Sequence, residues 1–328
     1  MAKADRELPS SKLASAISKR ALRYDLTVPF ARFVSQHRND LQFPFKRYQI
    51  QPVWRADRPQ KGRYQEFFQC DADVVGSDAL MHEVEFVQIF DEVLTNLGLD
   101  QFTVHINNRK ILAGLAEVSN CVMHFNDMAV ALDKLDKIGA EKVKEEWAKR
   151  GISAQSILQL SSIFDMDLSN PFPTLRVLLA QSEIGLRGVE ELEYVFDMSE
   201  KLGLNKAELK LNVTLARGLD YYTGAIFEVT TDDYAIGSIC GGGRYDDLTG
   251  VFGLPDMSGV GVSFGADRIY DVLEATSKWP ADLYQGPAVL FVNFGTVEEG
   301  HCLSLLSQLR KSGIAAEVYP TAAKMKKQ

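Results

Sequence analysis

The sequence predicts an α+β fold, an antiparallel β-sheet flanked by helices, with a helical block inserted into it. Three observations predict it. Strand-like runs rich in aromatic and β-branched residues lie on both sides of a long helical stretch. Two of these runs flank a single basic turn, the mark of an antiparallel hairpin. Residues 286–328 open a β-α-β pattern without completing a sheet.

The elements follow in order. Phe45 to Arg55 reads as a strand, the turn Arg58-Pro59-Gln60-Lys61-Gly62-Arg63 reverses the chain, and Phe67 to Val75 reads as the returning strand. Asp78 is placed to cap a helix in which Leu80, Val84, Val87, Val93, Leu94 and Leu97 recur at near-helical spacing and Gly98 closes the pattern. Phe102–Asn107 is a further strand. Residues 109–211 change character, with helical periods at Met128–Lys149, Ala154–Ile163, Leu175–Gln181 and Val189–Leu202. Strand patterns return at Leu209–Leu215, Ala225–Thr231, Ile236–Cys240 and Val260–Phe264, and the last of these feeds a helix over Ala266–Ala275. The expected organisation is a discontinuous domain of residues 1–108 and 212–285, an insertion of 109–211, and the start of an α/β domain at 286–328.

Composition narrows the function. Of 328 residues, 46% are hydrophobic and 24% charged, an ordinary balance for a folded chain. No apolar run is long enough to span a bilayer, and the polar start MAKADRELPSSK carries no secretory h-region, so the expected compartment is the cytoplasm. Cys70, Cys121, Cys240 and Cys302 form no C-x-x-C pair, which argues against structural zinc and a disulfide framework. His37, His82, His105, His124 and His301 show no metal spacing. A net charge of −8 excludes a generic nucleic-acid coat but not a local basic site.

Chemistry-bearing residues gather in four places. Between residues 46 and 63, Lys46, Arg47, Arg55, Arg58, Lys61 and Arg63 oppose a single acid, Asp57. Guanidinium forks suit phosphate because they donate two parallel hydrogen bonds. Taken alone, such a turn is more often a solvated hairpin. In the following strand Phe67, Gln69, Asp71 and Asp73 share one face, and Asp25 with Thr27 repeats the pairing of an acid with a polar neighbour. Acids on a central strand are costly to bury without a partner, so they suit an amine-bearing ligand or an internal ion pair. The segment Arg217-Gly218-Leu219-Asp220-Tyr221-Tyr222 sets an arginine beside paired tyrosines. The run Gly241-Gly242-Gly243-Arg244 lacks the lysine and helix of a P-loop, and by itself reads as a tight bend at a strand edge.

In this order the clusters resemble the histidyl-tRNA synthetases, class II aminoacyl-tRNA synthetases. Arg23-Tyr24-Asp25-Leu26-Thr27-Val28-Pro29 is similar to the family's first histidine-binding segment, and Arg55 through Asp73 to its motif 2 hairpin. Arg217 through Tyr222 is similar to the signature peculiar to the histidine enzymes, and Gly259 through Arg268 to motif 3. The resemblance implies ATP-dependent activation of L-histidine to histidyl-adenylate and transfer to the 3′ end of tRNA(His). It implies Mg²⁺ bridging the ATP phosphates, with no confident side-chain ligand for the metal. It implies a homodimer for the intact protein, and neither DNA nor a membrane as partner.

By the same resemblance, Arg55 holds the α-phosphate, Arg268 the γ-phosphate, and Arg217 the substrate carboxylate and α-phosphate. Arg58 and Arg63 help place the ATP. Asp25, Thr27 and Gln69 hold the α-ammonium group, and Asp73 and Tyr222 bond the imidazole nitrogens. Tyr221 and Tyr245 belong to the same histidine-binding set. The family's motif 1 and most of its anticodon-binding domain are expected to be missing from this chain. One rival is a synthetase-like regulatory subunit of ATP phosphoribosyltransferase, which binds histidine without aminoacylation. A tRNA-sensing module within a kinase and a plain RNA-binding module fit the intact arginines and carboxylates less well.

Overall fold

The computed structural model describes residues 18–166, 170–216, 221–280 and 286–328. The chain divides into two compact units, one through Thr276 and one from Ser277. The first is built on a seven-stranded sheet. Its strands are β1 (Phe45–Trp54), β2 (Glu66–Val75), β3 (Phe102–Asn108), β4 (Ala207–Leu211), β5 (Ala225–Thr231), β6 (Ser238–Arg244) and β7 (Gly259–Gly265), in the order β1-β2-β7-β6-β5-β3-β4. Neighbours are antiparallel except β3 and β4, which run parallel.

Register assigns the two faces. Asp73 pairs with Gly261, Asp71 with Ser263 and Gln69 with Gly265, and directly opposed residues share a face. The same rows continue through Gly241 and Gly243 to Glu228 and Ile226. The opposite face carries Phe264 and Phe227. There Phe90 of helix α2 (Met81–Asn96) packs with ring centroids 5.4 and 6.1 Å from theirs. The helix thus covers the apolar face and leaves the polar, glycine-rich face to form a cavity.

Helix α1 (Thr27–Gln36) runs beside that cavity and was not legible as a helix in the sequence. Helices α3 (Arg109–Val118), α4 (Phe125–Leu132), α5 (Leu135–Ile138), α6 (Ala140–Lys149), α7 (Ala154–Ser161), α8 (Pro171–Leu178) and α9 (Glu183–Leu202) fill the connection between β3 and β4. The run expected over Met128–Lys149 is broken at Gly139, whose φ of +78° a helix cannot accommodate. Asp78 caps nothing. Helix α2 starts after Leu80 without a side-chain cap, and Ser77 accepts the Ala79 N–H instead. Helix α10 (Ala266–Ala275) follows β7 directly.

The glycine run is not an edge bend. Gly241–Gly243 lies inside β6, hydrogen-bonded between β5 and β7. A Cβ on Gly242 would stand 2.3 Å from the Gly261 carbonyl oxygen and 2.7 Å from Val262 Cα. Gly242→Ala is therefore expected to destabilise the unit by about 2–3 kcal/mol, the upper range for overpacking. Gly241→Ala meets nothing closer than the Phe227 oxygen at 3.4 Å. It should leave stability within about 0.5 kcal/mol. Thermal melts of the two variants check the contrast.

The second unit holds β8 (Val289–Phe291), helix α11 (Thr296–Lys311) and β9 (Ala316–Val318), with the two strands parallel, as the β-α-β reading expects. Among the described residues no helix is long and apolar enough to cross a membrane.

Candidate active site

A cavity of about 390 Å³ opens on the glycine-rich face. Asp25, Thr27, Arg55, Arg63, Gln69, Tyr221, Tyr222 and Arg268 all border it, so the fold joins four separate segments of the sequence at one place. Arg217 lies outside the described residues.

Each side chain is placed by its own element. Asp25 precedes α1 and accepts the Val28 N–H at 3.2 Å, which fixes its carboxylate at the helix start. It is buried, and that burial pushes its pKa up. The Tyr221 hydroxyl lies 3.4 Å from its other oxygen. Arg55 follows the last residue of β1. Its Nε donates to the Tyr24 carbonyl at 3.1 Å, and its guanidinium stacks 4.3 Å from the Tyr24 ring and 5.1 Å from Phe67. Arg268 sits in the first turn of α10 and donates from Nε to the Gly62 carbonyl at 2.6 Å and from Nη1 to the Ser238 carbonyl. The motif-like helix start thereby pins the basic turn. Arg63 is exposed at the cavity rim, 3.7 Å from Asp57, while Arg58 is exposed and does not border the cavity.

The floor is backbone. Gly243 leaves room for the Tyr222 ring, Gly259 for the Tyr245 ring and Gly261 for the Asp73 carboxylate, each of which a Cβ would strike at under 3 Å. Gly241 and Gly265 also border the cavity; a Cβ there would meet the Phe227 oxygen at 3.4 Å and the Ile239 oxygen at 3.1 Å.

Two expected contacts sit further back. Tyr245 is buried and does not border the cavity; its hydroxyl donates to Asp73 Oδ1 at 2.6 Å. Asp73 Oδ2 lies 2.8 Å from Arg47 Nη2, an ion contact rather than an aligned hydrogen bond. Both oxygens of Asp73 are thus engaged by protein, and its pKa stands at about 6 because burial outweighs the arginine. The cavity is bordered instead by Asp71, one pleat nearer the opening. Burial, and then the charge of Asp73, push the Asp71 pKa to about 7. Asp71 and Arg47 were both visible in sequence, Asp71 by sharing the face of Gln69 and Arg47 within the basic count. Nothing in the sequence showed that Arg47 turns inward.

The cavity carries both charges. Asp25, Asp71, Glu228, Tyr221 and Tyr222 border it, as do Arg55, Arg63 and Arg268, with Asp57 and Asp267 among the arginines. Such a site takes a ligand with a cationic head and an anionic partner. No group of three or more His, Cys, Asp or Glu among the described residues could hold a metal ion unaided. Glu228 on the cavity face of β5 offers the hard oxygen that Mg²⁺ prefers when phosphates supply the remaining ligands.

Comparison with known proteins identifies the family. The model of the family described as histidyl-tRNA synthetase matches residues 12–269. A histidine–tRNA ligase of Christiangramia forsetii is 56% identical over 97% of this chain and 71% of its own length. That of Phocaeicola vulgatus is 56% identical over 97% and 70%. The crystal structure of histidyl-tRNA synthetase from Nostoc sp. PCC 7120 superposes with a TM-score of 0.80 at 33% identity, over 94% of this chain and 72% of that one. A Bacillus halodurans structure described as an ATP phosphoribosyltransferase regulatory subunit/histidyl-tRNA synthetase shares the fold, with a TM-score of 0.76 at 22% identity. The chain belongs to the histidyl-tRNA synthetase family.

Proposed function

We propose that this chain carries the catalytic body of a histidine–tRNA ligase, and that the cavity activates histidine with ATP. The observation that carries the reading is the convergence of Asp25, Thr27, Gln69 and the tyrosines with Arg55, Arg63 and Arg268 on a single cavity. In the first step a carboxylate oxygen of histidine attacks the α-phosphorus of ATP, and the bond to the pyrophosphate oxygen breaks. In the second the 3′-terminal ribose of tRNA(His) takes the histidyl group and AMP leaves.

The physical obstacle is the approach of one anion to another. Cations fixed in advance lower the barrier by meeting charge as it develops, without reorganising. Arg55, clamped between the Tyr24 carbonyl and two rings, is assigned the α-phosphate, and Arg268 the γ-phosphate, with Arg63 at the rim. Arg217 is assigned the substrate carboxylate by family likeness. Mg²⁺, held by the ATP phosphates and Glu228, would neutralise the leaving pyrophosphate. Asp25, Thr27 and Gln69 hold the α-ammonium, and Tyr222 meets the ring. Asp73, engaged by Arg47 and Tyr245, acts as the support behind that wall. Residues 109–211 are assigned to an insertion domain, residues 286–328 to an anticodon-binding unit, and the intact protein to a cytoplasmic homodimer.

The test is histidine-dependent exchange between ATP and pyrophosphate with Mg²⁺. Exchange that appears only when histidine is supplied is the expected result. Histidine binding without exchange would transfer the chain to the regulatory-subunit reading.

A further inference from the structure

We infer that Asp271 is a positioning residue for the nucleotide: it holds the Tyr64 hydroxyl and so sets the turn that carries Arg63 against the cavity. The inference rests on the ATP-dependent reading of the site and adds a residue that reading does not use. Tyr64 borders the cavity beside Arg63, and its hydroxyl donates to Asp271 Oδ2 at 2.5 Å, across 207 residues of sequence. Asp271 itself is half-buried and does not border the cavity, so any effect it has on a ligand passes through the tyrosine.

The helix presents one face to the hairpin. Asp271 lies four residues after Asp267 and three after Arg268, so the three side chains stand together along α10. Each meets the hairpin at a different level. Asp267 accepts the Phe68 N–H at 2.7 Å, just beyond the last pairing of β2 with β7 at Gly265. Arg268 donates to the Gly62 carbonyl at 2.6 Å, and Asp271 takes the Tyr64 hydroxyl.

The tip of the turn is closed on itself. Gln60 and Arg63 exchange backbone hydrogen bonds at 3.3 and 2.9 Å, with Gly62 at a φ of +69° between them. A unit closed in this way moves as one body, and its orientation is set by ties from outside. Arg268 supplies one of these but is also assigned to phosphate. Lys61 supplies another, an exposed ammonium 4.5 Å from the Tyr234 ring, a weak contact in water. The Asp271 bond is stronger in kind, because its acceptor is ionised. That same bond pushes the Tyr64 pKa up to about 12, so the hydroxyl stays a donor at neutral pH. Without the tie the tip samples orientations that turn Arg63 away, and apparent ATP affinity falls with the fraction correctly placed.

The experiment compares the wild-type chain with Tyr64→Phe, Asp271→Ala, Asp271→Asn and the Tyr64→Phe/Asp271→Ala pair. Calorimetry measures ATP and histidine affinities. Trypsin, which cuts after Lys61 and Arg63, probes the turn, with the fragments identified by mass. Loss of the bond should raise the Kd for ATP about 3–10-fold, the range for one hydrogen bond. Cleavage in the turn should quicken by a similar factor. Histidine affinity should hold, and melting temperatures should stay within about 2 °C, because Asp267 and Arg268 still join helix to hairpin. The double variant should be no weaker for ATP than either single one. Asp271→Asn, which keeps an acceptor oxygen, should recover part of the loss. Unchanged cleavage in the turn, additive losses in the double variant, or an equal loss of histidine affinity would overturn the assignment. A wild-type chain that binds no ATP would strike the underlying reading, and this one with it, whatever trypsin shows of the tie.

Discussion

Arg55→Ala lowers histidine-dependent ATP–pyrophosphate exchange by about 10²–10³-fold, the loss expected when one preorganised donor to a developing charge is removed. The fall appears in kcat more than in the KM for histidine, because the arginine is assigned to the α-phosphate rather than to the amino acid. Arg55→Lys recovers little. The Tyr24 carbonyl and the Tyr24 and Phe67 rings hold a planar, delocalised group, and an ammonium can neither stack in that slot nor offer a second parallel donor. Exchange kinetics at saturating histidine check this, and an Arg55→Lys enzyme near wild-type rate would remove the fork from the argument.

Glu83→Gln destabilises the first unit by about 3–5 kcal/mol, the usual cost of leaving one member of a buried ion pair alone. Arg244 is 3% exposed and Glu83 fully buried. The guanidinium reaches Glu83 through Nε at 2.5 Å and Nη2 at 2.7 Å, and Nη1 donates to Ser258 at 2.5 Å. The pair ties the end of β6 to the first turn of α2, where an acid also complements the helix dipole. Pairing Glu83→Leu with Arg244→Met should cost less than the two single changes added together, since the charges leave as a unit. Denaturant midpoints of the three variants measure the coupling, and simple additivity would contradict it.

Arg244 also shows why part of the molecule was hidden in the sequence. Its position after three glycines suggests a phosphate loop or a bend, yet it serves an acid 161 residues away. Long-range partners of this kind leave no local pattern. The hairpin was legible because a basic, Pro- and Gly-containing turn separates two alternating runs. The helical block was legible by period, but its internal breaks depended on single residues such as Gly139. The cavity residues were found because residue types, rather than contacts, define the motifs. Which of Asp71 and Asp73 meets the opening depends on Arg47 and Tyr245, whose inward orientation only the assembled sheet specifies.

The floor under the cavity has a consequence for inhibition. Where a small molecule lies on Gly241 and Gly265, the surface it touches is main chain, which no substitution can delete. A variant escaping such a compound at these two positions would have to add atoms rather than remove them. Those atoms would narrow the cavity proposed to hold the substrates. Compounds anchored on these glycines therefore face a narrower set of viable resistance changes than compounds that depend on the exposed Arg63.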